Sequence, residues 1–349
     1  MYLRGLATAT PERTFSQREC LSLLQSSPST LAQLDRRSRL MLSTILRGDS
    51  GVKERQFAVD AGKLFRLDAD GLNAEFRRAA PQLGAQALMH ALERSSMVAE
   101  DLDALIVTTC TGYLCPGLSS YIAETTGLKS NAWLQDIVGL GCGAAIPAWR
   151  TASSILAAEP QTAVACLSVE VCSAAFYLDN DPGVIVSACL FGDGAAATIW
   201  SGKEDSANLH CHSFDSLHQP EHRDLIRFEQ RGGKLRNLLH STVPELASRA
   251  VSRLYDNARR SSPHRISRVL SHTGGRDVIG AIREKMPDFS LDETTAVLER
   301  HGNMSSPSVV FVLEEAMRSA TTDKDKADDW WLVSFGAGFS AHSCRVSAV

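Results

Sequence analysis

Two hydrophobic rhythms take turns along this chain. Residues 103–110 form a β-branched apolar run and residues 162–169 another; both predict buried strands. Residues 81–95 keep a different period. There Leu83, Ala87, Leu88, Ala91 and Leu92 share one face, which predicts an amphipathic helix. Earlier helices are predicted at 16–25, with Ser16 or Thr14 as cap and Cys20, Leu21 and Leu24 on one face, and at 31–46. The opening residues 1–8 read as a first strand. A short helix is predicted at 118–126. Residues 133–138 then form a strand or loop that delivers Gly139-Leu140-Gly141-Cys142-Gly143, and a helical run continues from 144 to 158. Residues 183–190 are apolar. After Phe191-Gly192-Asp193-Gly194 the chain turns tightly into another strand. Strands that alternate with helices make the class α/β.

The second half runs to the same plan. A strand at 267–272 ends in Thr273-Gly274-Gly275, and a helix follows at 277–285. His301-Gly302-Asn303-Met304-Ser305-Ser306-Pro307 opens a long helix through Val309, Val310, Val312, Leu313 and Met317. An apolar strand at 329–335, the turn Gly336-Ala337-Gly338 and a closing strand at 339–346 complete the half. In each half a small, glycine-bearing motif opens a long helix. A buried strand, a Gly-x-Gly turn and a last strand follow. The pattern predicts one unit duplicated and fused, with residues 1–205 as one half and 206–349 as the other.

Bulk properties narrow the function. The chain has 349 residues, 44% of them hydrophobic and 22% charged, enough for a large core. A net charge of −4 and the lack of any basic block argue against nucleic acid as a partner. No uninterrupted apolar stretch has the length of a membrane span, and the first residues lack the form of a signal peptide. The nine cysteines show neither CxxC pairs nor a histidine cluster at zinc spacing, so free thiols in the cytoplasm and no bound metal are expected.

Three positions carry candidate chemistry. Cys142 lies between glycines at or near a helix N-terminus, with Pro147 in the first turns. Free N–H groups and the positive end of the dipole favour a thiolate there. The alternative is a small buried residue at a tight turn. His272 ends a buried strand beside two glycines, on the edge of an α/β sheet where ligands bind; the alternative is a satisfied structural histidine. Asn303 stands at a helix start behind a glycine, where it is either functional or a simple N-cap. Their placement at equivalent edges of a duplicated fold favours function. The connector 48–66 with its neighbour Arg47 is charged. Lys53 and Arg55 on it are either phosphate contacts near a tunnel mouth or a solvated surface.

At this point the residues resemble a known family. The Cys142 loop, Cys-Leu-Phe-Gly-Asp-Gly-Ala-Ala-Ala at 189–197, Ser-His-Thr-Gly-Gly at 271–275 and Gly-Asn-Met-Ser-Ser at 302–306 are similar to the chalcone-synthase-like type III polyketide synthases of the thiolase superfamily. Ser334-Phe335-Gly336-Ala337-Gly338 stands where the plant enzymes have Gly-Phe-Gly-Pro-Gly. The resemblance runs end to end and implies a duplicated αβαβα five-layer fold. It also implies that Cys142 attacks a starter acyl-CoA and holds the chain as a thioester. His272 pairs with the sulfur as an ion pair, and His272 and Asn303 donate to the thioester carbonyl of malonyl-CoA as CO₂ leaves. Phe191 matches the gatekeeper between tunnel and cavity. No cofactor is implied beyond the CoA thioesters, and a homodimer is, with Cys115 and residues 118–126 near its contact.

Departures from the plant pattern bear on the product. Cys115 matches a methionine that reaches the partner's cavity, Cys110 replaces a threonine, and Ala175 is small where the plants have threonine. Phe335 and these positions are expected to line the substrate's path. A small residue at 175 opens space for an acyl chain, each buried methylene favouring occupancy by about 0.8 kcal/mol. The run 223–237 resembles the bacterial branch that makes alkylpyrones and alkylresorcinols from fatty acyl starters. Ala337 removes a rigid proline from the cyclisation scaffold. The rival is a ketoacyl synthase III-like acyltransferase performing a single condensation, usually marked by His-Gln-Ala-Asn at the histidine. This chain has Ser-His-Thr-Gly-Gly instead.

Overall fold

A computed structural model of the chain describes residues 1–349 except 206, 263 and 321–327; residue 206, where the second half was expected to begin, thus lies outside the described residues. In the first half β1 (Tyr2–Ala9) precedes the short pair β2 (Thr14–Ser16) and β3 (Glu54–Gln56), with α1 (Gln17–Gln25), α2 (Pro28–Ala32) and α3 (Arg36–Arg47) between them. The chain continues through α4 (Ala69–Ser95), β4 (Ala104–Thr108), α5 (Leu118–Thr126), β5 (Trp133–Ile137), α6 (Ala145–Ala158), β6 (Ala163–Glu170), α7 (Pro182–Leu190) and β7 (Gly194–Ser201). The second half holds β8 (Leu209–His218), the hairpin β9 (Ile226–Arg231) and β10 (Lys234–Leu239), α8 (Val243–Ser261), β11 (Ile266–Ser271), α9 (Arg276–Lys285), α10 (Asp292–His301), α11 (Ser308–Ser319), β12 (Asp329–Gly336) and β13 (Ser340–Ala348).

Nine strands join in the order β11-β12-β13-β8-β1-β7-β6-β4-β5. The order exposes the duplication. From β1 outward the pairings are antiparallel to β7, antiparallel to β6, then parallel to β4. From β8 outward they are antiparallel to β13, antiparallel to β12, then parallel to β11. A short antiparallel contact, Tyr2 with His210 and Leu3 with Leu209, joins the halves, and β5 is an additional edge strand on the first. Side chains alternate across the strands and divide the core into layers. Leu105 and Val107 face outward onto α4, whereas Ala104 and Ile106 face inward. On β12, Trp330 and Leu332 face inward while Trp331 and Val333 pack under α8 and α9. Helices α6 and α11 fill the middle, where Trp149 meets Trp200 edge-on at 5.2 Å. The result is the thiolase-like five-layer α/β arrangement.

Local expectations differ from the structure in instructive ways. The helix expected at 81–95 begins at Ala69 and runs through Pro81. Leu72, Glu75, Phe76, Ala79 and Ala80 are buried at helical spacing, so tertiary packing overrides a proline and Gly71. The single helix expected at 31–46 is two. Asp35 starts the second by accepting from the Ser38 N–H at 2.7 Å. The apolar run at 183–190 is helix α7, started by Asp181 and Pro182.

Candidate active site

Equivalence of the halves sets the site. Helix α6 leads into β6 as α11 leads into β12, so the loops before the two helices are related positions. The first holds Cys142 in a 3₁₀ turn, Gly141–Gly143, just before α6. Gly141 adopts φ +56°, a conformation that glycine takes without strain. Gly336 must be glycine for another reason: a Cβ there would lie 2.6 Å from the Gly143 nitrogen and 3.0 Å from that of Cys142. The C-terminal Gly-Ala-Gly turn is thus pressed onto the Cys142 loop, and Ser334 Oγ donates to the Gly143 carbonyl at 3.1 Å.

Asn303 is not an N-cap. Helix α11 begins at Ser308 with Pro307 at the cap position. Asn303 is bridged instead to the Phe191 segment: its N–H donates to the Leu190 carbonyl, and its own carbonyl accepts from the Gly192 N–H, both at 3.0 Å. Its side-chain Oδ1 accepts from the Ser305 N–H at 2.7 Å. That bond fixes the amide so that Nδ2 is left as the donor. Ser305 sits at φ +61°, an uncommon conformation for a side-chain-bearing residue, and such strain concentrates at functional sites. Its Oγ reaches Cys142 Sγ at 3.3 Å and Cys110 Sγ at 3.1 Å. His272 follows β11, its ring edge-on to Phe335 at 5.3 Å and its Nδ1 buried without a partner.

Cys142, His272, Asn303, Phe191 and Phe335 line one cavity of about 700 Å³, within the range of small-molecule sites. A narrow neck of about 30 Å³ adjoins it, lined by Phe191, Cys110, Ala175 and Ser305. Beyond the neck an outer chamber of about 860 Å³ is bordered by Cys110, Ala175, Arg223 and Lys234. Phe228 lines all three, and Gly141 and Ala337 line both large chambers, so the three spaces adjoin one another.

Electrostatics amend one expectation. Burial pushes the Cys142 thiol up to about 12 and the His272 imidazolium down to about 3. Burial thus disfavours the charged forms of both groups and opposes the ion pair that the resemblance implied.

One other expectation is corrected, that for Arg55; Lys53 and Cys115 lie on the surface, as the solvated alternative for Lys53 and the partner-facing reading of Cys115 allow. Arg55 is neither a phosphate contact nor a surface residue. It is fully buried, donates through Nη1 to the carbonyls of Ala188 and Phe191 at 2.8 Å each, and stacks on Phe57. Two strong acceptors inside the fold outcompete any solvent ligand, and the residue anchors the Phe191 segment. Lys53 is exposed with its ammonium taken by Glu299 at 2.6 Å, outside the cavity lining. Cys115 is likewise exposed and outside the lining of the three spaces.

Sequence reading missed Glu170. It ends β6, fully buried, and accepts from the N–H groups of Cys110 and Thr111 and from the hydroxyls of Thr111 and Ser306. Burial raises its carboxyl above the ordinary range. A lone acid closing a strand that holds no other charge, at the ligand-binding edge, was the available signal. Among the described residues no His, Cys, Asp and Glu group is arranged to hold a metal ion, and no helix is long and apolar enough to cross a membrane.

Comparison with known proteins agrees with the geometry. Residues 50–213 match the model of the FAE1/type III polyketide synthase-like proteins, and residues 257–347 that of the 3-oxoacyl-[acyl-carrier-protein] synthase III C-terminal region. The chain is similar to the 3,5-dihydroxyphenylacetyl-CoA synthase of Amycolatopsis orientalis, with 30% identity over 96% of this chain and 90% of that one. It is 28% identical to the 1,3,6,8-tetrahydroxynaphthalene synthase of Streptomyces peucetius subsp. caesius over 85% of this chain and 81% of the other. The crystal structure of the Streptomyces coelicolor 1,3,6,8-tetrahydroxynaphthalene synthase superposes with a TM-score of 0.89 at 22% identity, covering 100% of this chain and 99% of that one. With this fold, this cavity and a relative matched over nearly its whole length, the chain belongs to the type III polyketide synthases, acyltransferases that work by decarboxylative condensation.

Proposed function

We propose that Cys142 loads an acyl-CoA starter and extends it with malonyl-CoA in repeated condensations. The product is then cyclised to a pyrone or resorcinol-type ring, with a fatty acyl group among the candidate starters. The observation that carries this reading is the convergence of Cys142, His272 and Asn303 on one cavity, with a narrow space and a second large chamber adjoining it. His272 takes the thiol proton as sulfur attacks the starter thioester. The Asn303 amide and the His272 ring then donate to the malonyl thioester oxygen while CO₂ leaves and enolate charge develops. Phe191 and Phe335 keep the chamber apolar, which disfavours the bound carboxylate relative to neutral CO₂.

Purified enzyme given labelled malonyl-CoA and a ladder of acyl-CoA starters tests this directly. Products weighing starter plus two or more two-carbon units are expected. One unit alone, with no ring, would favour the ketoacyl synthase III-like alternative, which the match at residues 257–347 keeps in view.

The path of the growing chain is assigned through the neck beside Ala175. Ala175→Trp fills a space with little free volume. The variant is expected to lower kcat/KM for the longest accepted starter by about tenfold or more relative to the shortest. An unchanged chain-length profile would place the path elsewhere.

A second copy of the chain is the proposed partner. Trp133 and Leu134 on edge strand β5, with Val138 just after it, expose apolar side chains on a strand whose outer edge is free, the kind of edge that proteins cover. Light scattering is expected to give a mass near twice the 37.8 kDa of one chain, and Trp133→Lys to lower it. A monomeric wild-type protein would contradict this.

A further inference from the structure

Helix α3 forms one lip of the thioester chamber through Met41, Thr44 and Ile45, with Gly48 just past its end. Its inner face buries Ser38, Leu42 and Leu46. Its outer face carries Arg36, Arg37, Arg39 and Arg47, all exposed, and none forms an ion pair among the described residues. The helix itself contains no acid, and the carboxylate of Asp35 before it is engaged by the Ser38 N–H. Asp49 and Asp277 at the same mouth face Arg276. Leu40 stands 68% exposed within this cationic face.

We propose that α3 is the landing face for an acidic acyl carrier protein, which delivers the starter on its phosphopantetheine arm into the chamber of Cys142. This rests on the reading of Cys142 as the acyl-loading nucleophile. Two features separate a protein from free CoA as the occupant. The cations extend along the helix, and Arg36 lies five residues, about 7.5 Å, before the first lip residue Met41, farther than a single phosphate at the lip would need. A phosphate also has no use for an exposed leucine, whereas an acidic protein surface with a central apolar contact matches a leucine ringed by guanidinium groups. The arm ends in the same thioester as acyl-CoA, so the chamber serves both donors.

The test presents one acyl group, hexanoyl, in two ways: on CoA, and on the phosphopantetheine of a carrier protein of bacterial fatty-acid synthesis. The mass of the Cys142 peptide reports loading. Both donors are expected to acylate Cys142, and only loading from the carrier protein is expected to slow as salt is raised. The double variant Arg36→Glu with Leu40→Asp is expected to slow carrier-protein loading by at least about tenfold while changing CoA loading less than about twofold. Should the double variant fold poorly, lysines placed on the acidic docking helix of the carrier protein are expected to give the same loss with wild-type enzyme. Loading from CoA without any from the carrier protein would overturn the proposal alone. So would an equal slowing of both donors in a natively folded variant. Failure of both donors would instead remove the assignment of Cys142 itself.

Discussion

Cys142→Ala is expected to abolish starter loading and product formation, a loss of at least about 10⁴-fold on the scale of nucleophile deletions in enzymes that work through a covalent acyl intermediate. The fold should survive. The side chain is small and buried, and its removal leaves only the Ser305 hydroxyl without the 3.3 Å contact, worth about 1 kcal/mol. The more telling part is what remains. His272 and Asn303 still face the chamber in this variant, so CO₂ release from malonyl-CoA is expected to continue without condensation. Intact mass after exposure to acyl-CoA, together with a bicarbonate-release assay, reads the two halves separately. An acyl adduct at full occupancy on the variant, or a complete loss of CO₂ release, would separate the residues from the roles given to them.

Asn303 should show the reverse. Asn303→Asp keeps an oxygen to accept from the Ser305 N–H and so preserves the bond that holds Ser305 at its positive φ. It removes the Nδ2 donor and puts a carboxylate where enolate charge must build. Decarboxylation is expected to fall by about 10²–10³-fold, the effect of losing one oxyanion donor, while Cys142 is still acylated. Asn303→Ala should give the same kinetic loss. It should also destabilise the fold by about 1–3 kcal/mol, because a buried Ser305 N–H loses its acceptor. Normal CO₂ release by a folded Asn303→Asp enzyme would take Asn303 out of the chemistry.

The two variants show why parts of this site could be read from the chain. Cys142, His272 and Asn303 are polar residues at the ends of apolar elements and beside glycines, and the duplicated plan told which ends correspond. Phe191 and Phe335 stood next to glycine turns that the fold needs for close approach, Gly336 against the Cys142 loop among them. What stayed hidden depends on partners distant in sequence. Arg55 reads as a solvated cation until the carbonyls of Ala188 and Phe191 are brought to it. Glu170 has no visible role until the loop after β4 and the 302–306 segment supply its donors. The first turns of α4 carry a helical pattern, with Leu72, Phe76 and Ala80 four residues apart behind the Asp68 cap, but Gly71 and Pro81 masked it. The N-cap reading of Asn303 failed because its backbone is committed to the Phe191 segment.

The position of Arg55 adds a link between fold and chemistry. Its guanidinium fastens the carbonyl of Phe191, and Asn303 is bridged to the residues on either side of that phenylalanine. Phe191 and Asn303 are therefore held by one hydrogen-bonded unit. That arrangement sets the donor rigidly, as stabilisation of a transient oxyanion requires.

The most direct measurement is to map the acyl-enzyme in the unmodified protein. Wild-type enzyme is mixed with isotopically labelled starter acyl-CoA, quenched before turnover completes, digested and sequenced by mass spectrometry. The expected result is label on the peptide containing Cys142 and on none of those carrying Cys110, Cys172 or Cys189, the other thiols lining these spaces. Product formation with label on another cysteine, or with no covalent label at all, would contradict it.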